Sequence, residues 1–339
     1  MQPRWKSFQY SSTYAESSQF SGGVFRLGSS PQKTVSRSQL PLLLTKVNLE
    51  ELIKLTTVHY DFKIDKTIQE WFSADGKELR GSISTGSKRG DCIVQVVRHS
   101  NREVVGQRFY NGQKESEVPT VKELLEQTKI KYQKVSLDAL HLKPNTLKLI
   151  DESKGKYLIG LKGNQKKLLK KMRRSLWDLP ELHDKSTYEK GHGRYEQRNY
   201  TCYNISSVAI DQRWEKVNFQ TLIQVHRKRK VLKTNKQTEK VAYYISNIVT
   251  KNIEIAKELF DAVRNHWQIE VNNNIRDCIL KEDKLCSSNS FATKTIACCR
   301  TLTVRLLDAM KVKNRAAQLD LFADKFHCCL DELRAIKFL

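Results

Sequence analysis

The sequence predicts an α/β fold, followed by a β-rich block and a helical C-terminal part. Three features predict it. Alternating apolar and polar residues indicate strands in the first half, and apolar residues three or four apart indicate helices between them. The last third carries long helical patterns. In order, the elements read β-β-β-α-β-α-β, then short strands, then helices. Hydrophobic residues make up 39% of the chain, enough for a packed core.

The first half contains one helical segment and then the alternating elements. Residues 38–57 carry a helical apolar pattern. The elements after it are the strands WFSAD, CIVQVVRHS and EVVGQRFYN, the helix PTVKELLEQT, the strand KVSLDAL, the helix KPNTLKLIDESK and the strand KYLIGLKG. A polar turn at Asn101-Arg102 is expected to join two of the strands. Pro119 is placed where a helix is expected to begin.

The pattern changes at residue 165. A basic helical run, KKLLKKMRR, comes first, and the strand-like segments RNYTCYNI, TLIQVHRKRK and VAYYISNI follow it. The TNKQT turn between the last two predicts a β-hairpin. From residue 251 onward the pattern is helical. Residues 1–30 are rich in Ser, Gly and Gln and are expected to be poorly ordered or foreign to the fold.

The net charge points to a polyanionic partner. The 339 residues include 60 Lys and Arg against 37 Asp and Glu, a formal charge of +23. Such an excess is most simply explained by nucleic acid. No apolar run approaches the ~20 residues that span a bilayer, and the N-terminus does not resemble a signal peptide. We therefore expect no membrane association.

The eight cysteines do not predict a metal site. They form no C-x-x-C motif and no Cys/His quartet at zinc spacing. Two adjacent pairs on helical apolar faces are interpreted as reduced core residues. We expect a cytoplasmic protein without structural zinc.

Three acidic residues are attached to core-like segments. Asp75 ends WFSAD, Asp138 ends KVSLD, and Glu270 recurs on a helical stripe with Leu259 and Val263. Carboxylates on buried faces are costly unless they are paired or coordinated. Three of them ~5 Å apart would repel by roughly 3 kcal/mol per pair at an effective dielectric near 20. Divalent Mg²⁺ or Mn²⁺ would relieve that repulsion.

Each acid also has an ordinary interpretation. Asp75 precedes Gly76 and so fits a turn. Asp138 fits the cap of the helix KPNTLKLIDESK, and Glu270 fits a partly exposed helix residue paired to a lysine. Residue spacing alone does not decide between these interpretations.

A set of motifs adds to this pattern. The segments are ADGKELRGS (74–82), LDALHL (137–142), YLIGLKGNQ (157–165), KGHGRYEQR (190–198), YYISN (243–247) and HWQIE (266–270). In this order they resemble bacterial insertion-sequence transposases of the H-repeat-associated group, within the DDE transposase superfamily. The resemblance runs from about residue 30 to the C-terminus.

The resemblance implies a ribonuclease-H-like mixed sheet with flanking helices, interrupted by a β-rich insertion. It divides the chain into a non-family N-terminus (1–30), a remnant of an N-terminal helical region (31–72), the first part of the core (73–164), the insertion (165–249) and the C-terminal helices with the catalytic glutamate (250–339).

The resemblance also implies an activity. Asp75, Asp138 and Glu270 match the family's catalytic acids, which hold two Mg²⁺ or Mn²⁺ ions. Metal-dependent strand cleavage and strand transfer of an insertion sequence would follow. The implied partners are transposon ends and target DNA, with a possible homodimer in the DNA complex and a location at the nucleoid.

Further residues of the motifs are candidates for DNA contact, each with a structural alternative such as a turn or a buried side chain. They are Lys77, Arg80, Lys162, Asn164, Gln165, His192, Arg194, His266 and Trp267.

Two departures from the family pattern shape the expectation. After Glu270 the chain reads VNNNIRD, one residue shorter than usual, and Asp277 aligns with the family's following aspartate. Most of the family's N-terminal helical region is replaced by another sequence. We therefore expect a chain that folds and binds DNA but transposes poorly. The alternatives are a DNA-binding remnant that does not cut, and a metal-dependent nuclease on the same core.

Overall fold

A computed structural model describes residues 36, 38–59, 64–65, 67–83, 86–285, 287 and 289–335. Residues 1–30, for which poor order was predicted, and Cys286 lie outside the described part. In the described part, no helix is long and apolar enough to cross a membrane.

The described residues form one nine-stranded mixed sheet. Its order is β3-β2-β1-β4-β5-β9-β8-β7-β6, and β1, β4 and β5 run parallel while all other neighbours are antiparallel. The strands are β1 (Trp71–Glu78), β2 (Cys92–Arg98), β3 (Val104–Tyr110), β4 (Lys134–Leu137), β5 (Lys156–Leu161), β6 (Glu181–Gly191), β7 (Arg194–Asn204), β8 (Thr221–Val231) and β9 (Gln237–Ser246).

Helices cover both faces of this sheet. They are α1 (Gln39–Leu44), α2 (Leu49–His59), α3 (Lys114–Gln127), α4 (Pro144–Glu152), α5 (Lys166–Ser175), α6 (Ile253–Asn265), α7 (Gln268–Cys278), α8 (Ser290–Ala309), α9 (Arg315–Asp324) and α10 (Phe326–Ala335). Apolar residues of α3, α4 and α5 pack with Phe72 and Ala74 on one face. On the other face α6 packs with Leu158 and Ile223. The α/β prediction is confirmed.

The β-rich segment continues the core sheet. Its last strand, β9, pairs antiparallel with core strand β5, from Leu158↔Ser246 to Leu161↔Tyr243. The predicted hairpin around TNKQT is present as β8–β9. Strand β6 was not predicted, because it is an edge strand with mostly exposed or half-buried side chains and no apolar alternation.

Two predicted helix boundaries are wrong. Helix α3 begins at Lys114, five residues before Pro119, which therefore lies inside the helix. The predicted helix through HWQIE is two helices, α6 and α7, separated by His266 and Trp267.

The adjacent cysteines are only partly in the core. Cys298 is buried whereas Cys299 is exposed, and Cys328 and Cys329 are half-buried. Consecutive helical residues point about 100° apart, so one helix face cannot hold both members of a pair.

Candidate active site

Parallel strand pairing brings two of the predicted acids together. β1 and β4 pair Ala74 with Leu137. Asp75 is the next residue within β1, which continues to Glu78, and Asp138 directly follows the last residue of β4. Because successive side chains alternate between the faces of a sheet, Asp75 lies on the face opposite the buried Ala74, and Asp138 lines the same cavity as Asp75 from the turn after β4. The pairing of β1 with β4 thus brings together two acids that are separated by 62 residues in the sequence.

The same row of the sheet supplies the floor of the site. Leu137 pairs with Ile159, so Gly160 lies beside Asp138, and Gly160 pairs with Tyr244 of β9. A Cβ on Gly160 would come within 3.3 Å of the Ala139 amide nitrogen. A side chain there would crowd the turn that follows Asp138.

Glu270 reaches the site from a helix start. Helix α6 ends at Asn265, and α7 begins at Gln268 with Trp267 in its N-cap position, so Glu270 lies in the first turn of α7. The prediction that Glu270 continues the stripe of Leu259 and Val263 is wrong. The break redirects the chain and leaves Glu270 exposed.

All three acids line one cavity of about 630 Å³. Three other predicted residues, Lys162, His266 and Trp267, line it as well. Its walls carry further cations, which are Arg173, Arg198, Arg227, Lys240 and Arg264. A small group of carboxylates therefore lies within a basic surround.

Asp138 caps a short turn and forms an ion pair. Its Oδ1 accepts a hydrogen bond from the Ala139 N–H at 2.6 Å, capping the 3-10 turn Ala139–His141. The residue that caps α4 is Lys143, so the prediction of a cap for that helix is wrong. Lys162 Nζ lies 2.7 Å from the same oxygen. Burial raises the pKa of Asp138, but the hydrogen bonds from Lys162 and Ala139 outweigh it and the net pKa is lowered.

The other two acids have raised pKa values. Burial, together with the negative charge of Glu117, raises the pKa of Asp75 to about 7. Burial also raises the pKa of Glu270, with a further contribution from Asp138 and an opposing one from Lys162. Mutual repulsion of carboxylates near a low-dielectric wall is the condition that a bound cation relieves.

Comparison with known proteins agrees with this geometry. Residues 64–304 match the family described as "Transposase DDE domain". This chain belongs to that family. The resemblance predicted from the motifs is confirmed.

Three relatives illustrate the similarity. "Putative protein YbfL" of Escherichia coli (strain K12) is 28% identical over 248 residues, 70% of this chain and 64% of the relative. "Putative transposase YncI" of Escherichia coli O157:H7 is 29% identical over 246 residues, 70% and 62% respectively. "H repeat-associated putative transposase YhhI" of strain K12 is 28% identical over 248 residues, 70% and 64%. The match thus spans less than two thirds of each relative's length.

The donor set of this DDE domain fits a hard divalent cation. Asp75, Asp138 and Glu270 offer only carboxylate oxygens, the ligands that Mg²⁺ and Mn²⁺ prefer. Within the described ranges, no three Asp, Glu, His or Cys side chains are grouped closely enough to hold an ion as they stand. The carboxylates share a cavity without forming a closed cage, and Lys162 balances the charge of Asp138.

His266 belongs to a buried hydrogen-bonded chain behind the cavity. Its Nδ1 and the Nε2 of His99 each lie 2.9 Å from the Ser136 hydroxyl, whose oxygen is 3.3 Å from the Phe72 carbonyl. Ser136 satisfies all three by donating to the carbonyl and accepting from both rings. Burial lowers the pKa of His266 to about 4 and that of His99 to about 3, so both rings are neutral near pH 7. The chain ties the α6–α7 junction to β4.

A second cluster near Asp75 was not predicted. Glu117 of α3 accepts a hydrogen bond from the Tyr110 hydroxyl at 3.0 Å and lies 3.2 Å from His141 Nε2. A Cβ on Gly76 would come within 2.8 Å of the Glu117 carboxyl carbon and 2.9 Å of the Tyr110 hydroxyl, so a larger residue there would displace these two side chains. The sequence carries no local signal for this cluster, because α3 and the turn after β4 meet only in the fold.

Lys77 lies away from the cavity in an ion cluster. Its Nζ is 2.8 Å from Asp277, 3.3 Å from Glu282 and 3.2 Å from Asp283, and its side chain is 10% exposed. Because three acids neutralise the Lys77 ammonium group, it would attract a phosphate only weakly. This placement does not support the predicted contact of Lys77 with DNA. Asp277 thereby has a structural partner.

The remaining predicted DNA contacts are dispersed. Asn164 and Gln165 donate to the carbonyls of Ala139 and Leu142, and so brace the turn after Asp138. Arg80 is exposed and lies 3.9 Å from Asp283. His192 lies with Gly193 at the β6–β7 turn, both with positive φ, and Arg194 follows them. None of these five residues lines the cavity.

Proposed function

We propose that this chain is the catalytic part of an insertion-sequence transposase that cuts DNA strands and transfers them to a target. The observation that carries the proposal is the convergence of Asp75, Asp138 and Glu270 on one cavity with a basic surround. The family match supports it.

We also infer that β1–β5 form a ribonuclease-H-like core. The order β3-β2-β1-β4-β5, with three antiparallel strands followed by two parallel ones, supports this. We propose that α5 to β9 is the β-rich insertion and that the residues from α6 onward carry the third acid.

The three carboxylates would hold two Mg²⁺ or Mn²⁺ ions. When bound, such ions activate the attacking oxygen and stabilise the leaving oxygen of a phosphoryl transfer. Asp138 is already ionised, because Lys162 and the Ala139 N–H lower its pKa. Burial and neighbouring carboxylates raise the pKa of Asp75 and of Glu270. A cation bound beside them would lower both pKa values and favour the ionised forms.

The chain's other residues position the DNA and the acids. Arg227 and Lys240 face the cavity, where they attract the phosphates of a strand, whereas Arg198 is paired with Glu189 and Glu196. The Ser136–His266 hydrogen bond fixes the start of α7 and hence Glu270. The partner is double-stranded DNA, both transposon ends and target. The enzyme would act at the nucleoid, as a homodimer in the DNA complex.

Strand cleavage and strand transfer with defined metals test this function. The protein is incubated with supercoiled plasmid and with an oligonucleotide carrying the element's end, in Mg²⁺, Mn²⁺ or EDTA. We expect metal-dependent nicking and joining of the oligonucleotide to the plasmid. Nicking without joining would indicate a nuclease. Binding with neither reaction would indicate a DNA-binding remnant and would overturn the proposal.

A further inference from the structure

Helix α5 carries a concentration of positive charge that the fold does not use. Its sequence, KKLLKKMRRS, contains six cations and no acid, and all six side chains are exposed. In the described part of the chain, none of the six has an acidic partner within 4 Å. The cations are Lys166, Lys167, Lys170, Lys171, Arg173 and Arg174. With Trp177 they form what we call the α5 surface.

This arrangement is unfavourable for the helix itself. Like charges three or four residues apart repel each other, as Lys166 and Lys170 do. Lys166 and Lys167 also lie in the first turn, where the helix dipole disfavours cations. An anionic ligand would reverse both effects. The three apolar residues of α5, Leu168, Leu169 and Met172, pack on the core, so packing does not require the cations.

Trp177 adds a second feature that points to nucleic acid. It lies just beyond the end of α5, and its backbone N–H donates to the Arg174 carbonyl at 3.2 Å. Its side chain is 90% exposed. No other described large hydrophobic side chain is as exposed. A fixed backbone with a free indole ring is suited to stack on a base that is not paired.

The α5 surface is continuous with the active-site cavity. Helix α5 begins four residues after Lys162, which contacts Asp138. A groove lined by Lys166, Lys170, Arg174 and Trp177 shares Leu169, Arg173 and Tyr243 with the cavity. Ten helical residues extend about 15 Å, the length of about four phosphates at 3.4 Å per nucleotide of one strand.

We propose that the α5 surface binds a single DNA strand that leaves the active site, with its phosphates on the α5 cations and an unpaired base stacked on Trp177. The inference rests on the proposed function, because it assigns a path to the strand which that function cuts. It separates two contributions, one electrostatic and sequence-independent, the other a stacking contact specific to an unpaired base.

The two contributions predict different effects on oligonucleotide binding. The probe is a fluorescent single-stranded oligonucleotide of mixed sequence, compared with its duplex by anisotropy over a range of salt. Lys170→Ala/Arg174→Ala should weaken single-strand binding and lower the log–log salt slope by about 1.4, at about 0.7 per lost phosphate contact. Trp177→Ala should weaken single-strand binding roughly 5- to 100-fold. It should leave the salt slope and duplex binding unchanged.

A matched control removes the same charge elsewhere. Lys251→Ala/Lys257→Ala deletes two exposed cations, one just before α6 and one in its first half. This variant should leave the single-strand affinity and the salt slope near the wild-type values. Circular dichroism of every variant verifies folding. If the α5 and control variants weaken binding equally, or if Trp177→Ala does not affect single-strand binding, the proposal is wrong.

The outcome is independent of the catalytic claim. Metal-dependent nicking that persists while the α5 variants bind normally would overturn this inference alone. Weakened binding by the α5 variants of a chain that never cuts DNA would overturn the proposed function and leave the α5 surface in place.

Discussion

Asp75 makes the stability of the metal-free protein depend on pH. Its pKa is about 7 in the fold against 3.8 ordinarily, because it is buried near Glu117 and Asp138. Between about pH 4 and pH 7 the folded state therefore binds more protons at this site than the unfolded state. The free energy of unfolding then falls as pH rises through that window. A bound cation would offset the loss.

Asp75→Asn should therefore stabilise the metal-free protein at high pH. At pH 8 we expect a gain of about 1–3 kcal/mol, after allowing for partial exposure of the site. At pH 4 the gain should largely disappear, because the wild-type carboxyl is then protonated. Urea denaturation at both pH values measures it, and Mn²⁺ should raise the stability of the wild type only.

The control is Glu152→Gln, which replaces an exposed acid on α4. The difference in unfolding free energy between this variant and the wild type should be the same at pH 4 and pH 8. Equal stability of Asp75→Asn and wild type at both pH values would show that burial and the neighbouring carboxylates do not raise the pKa of Asp75.

Arg276 is the largest fully buried side chain in the described part of the protein. It donates to Glu282 through Nε and Nη2, to the Thr301 hydroxyl, and more distantly to the Ala297 carbonyl, so it joins α7 to α8. Arg276→Met leaves Glu282 buried with less compensation and should cost about 3–5 kcal/mol. Urea denaturation measures the loss.

The double variant Arg276→Met/Glu282→Met distinguishes the causes. Replacing both charges removes the unpaired carboxylate, so the double variant should be more stable than the single one. If the single variant loses less stability than the double variant, the unpaired Glu282 carboxylate is not the cause of the loss.

At the residue scale, the sequence predicted the site residues that belong to local motifs and missed those that depend on tertiary contacts. The sequence predicted Asp75 and Asp138 at the ends of apolar strands and Glu270 in the HWQIE motif, so all three cavity acids were identified, although β1 continues past Asp75 to Glu78. Glu117 was not, since its contact with the site depends on where α3 packs. Lys77 looked like a surface lysine of a turn, and its three acidic partners come from 200 or more residues later.

At the element scale, helix α3 contains an internal proline that the sequence was expected to place at the helix start. Pro119 has no N–H, so the carbonyl four residues earlier has no helical donor. Because Pro119 is exposed, its replacement disturbs no core contact.

Pro119→Ala should therefore raise the free energy of unfolding by about 1–2 kcal/mol, measured by urea denaturation. The figure is below the ~3 kcal/mol cost of an interior proline, because proline also restricts the unfolded chain. The control is Pro144→Ala at the first turn of α4, where the missing N–H is harmless. Pro144→Ala should be neutral or destabilising. A stabilising effect at both sites would contradict this account.

The elements that sequence analysis missed share a physical cause. β6 lies at the sheet edge, so its side chains follow no apolar alternation. The break between α6 and α7 falls at His266, whose side chain is hydrogen-bonded to Ser136 of β4. Neither an edge position nor a contact 130 residues away leaves a periodic signal.

At the scale of the whole molecule, the acids and the cations of the site come from different parts of one sheet. Asp75 lies within β1, Asp138 follows β4 and Glu270 is in the first turn of α7. Arg198, Arg227 and Lys240 pair across β7, β8 and β9 in one row, and of these Arg198 is also ion-paired with Glu189 and Glu196. Like charges placed opposite each other are destabilising, which a polyanion in the cavity would relieve. Net charge predicted the partner, but only the pairing of β9 with β5 positions this row at the carboxylates.

The central claim is that Asp75, Asp138 and Glu270 act as one metal-dependent site. The measurement is the Mn²⁺-dependent rate of plasmid nicking by Asp75→Asn, Asp138→Asn, Glu270→Gln and the pairwise double variants, with Asp178→Asn as an exposed-acid control.

Residues that act as a unit are non-additive. Each single variant should lower the rate roughly 1,000-fold or more, each double variant should be no slower than its slower single variant, and the control should match the wild type. A single acid variant that keeps its rate, or losses that multiply in the double variants, would contradict the claim.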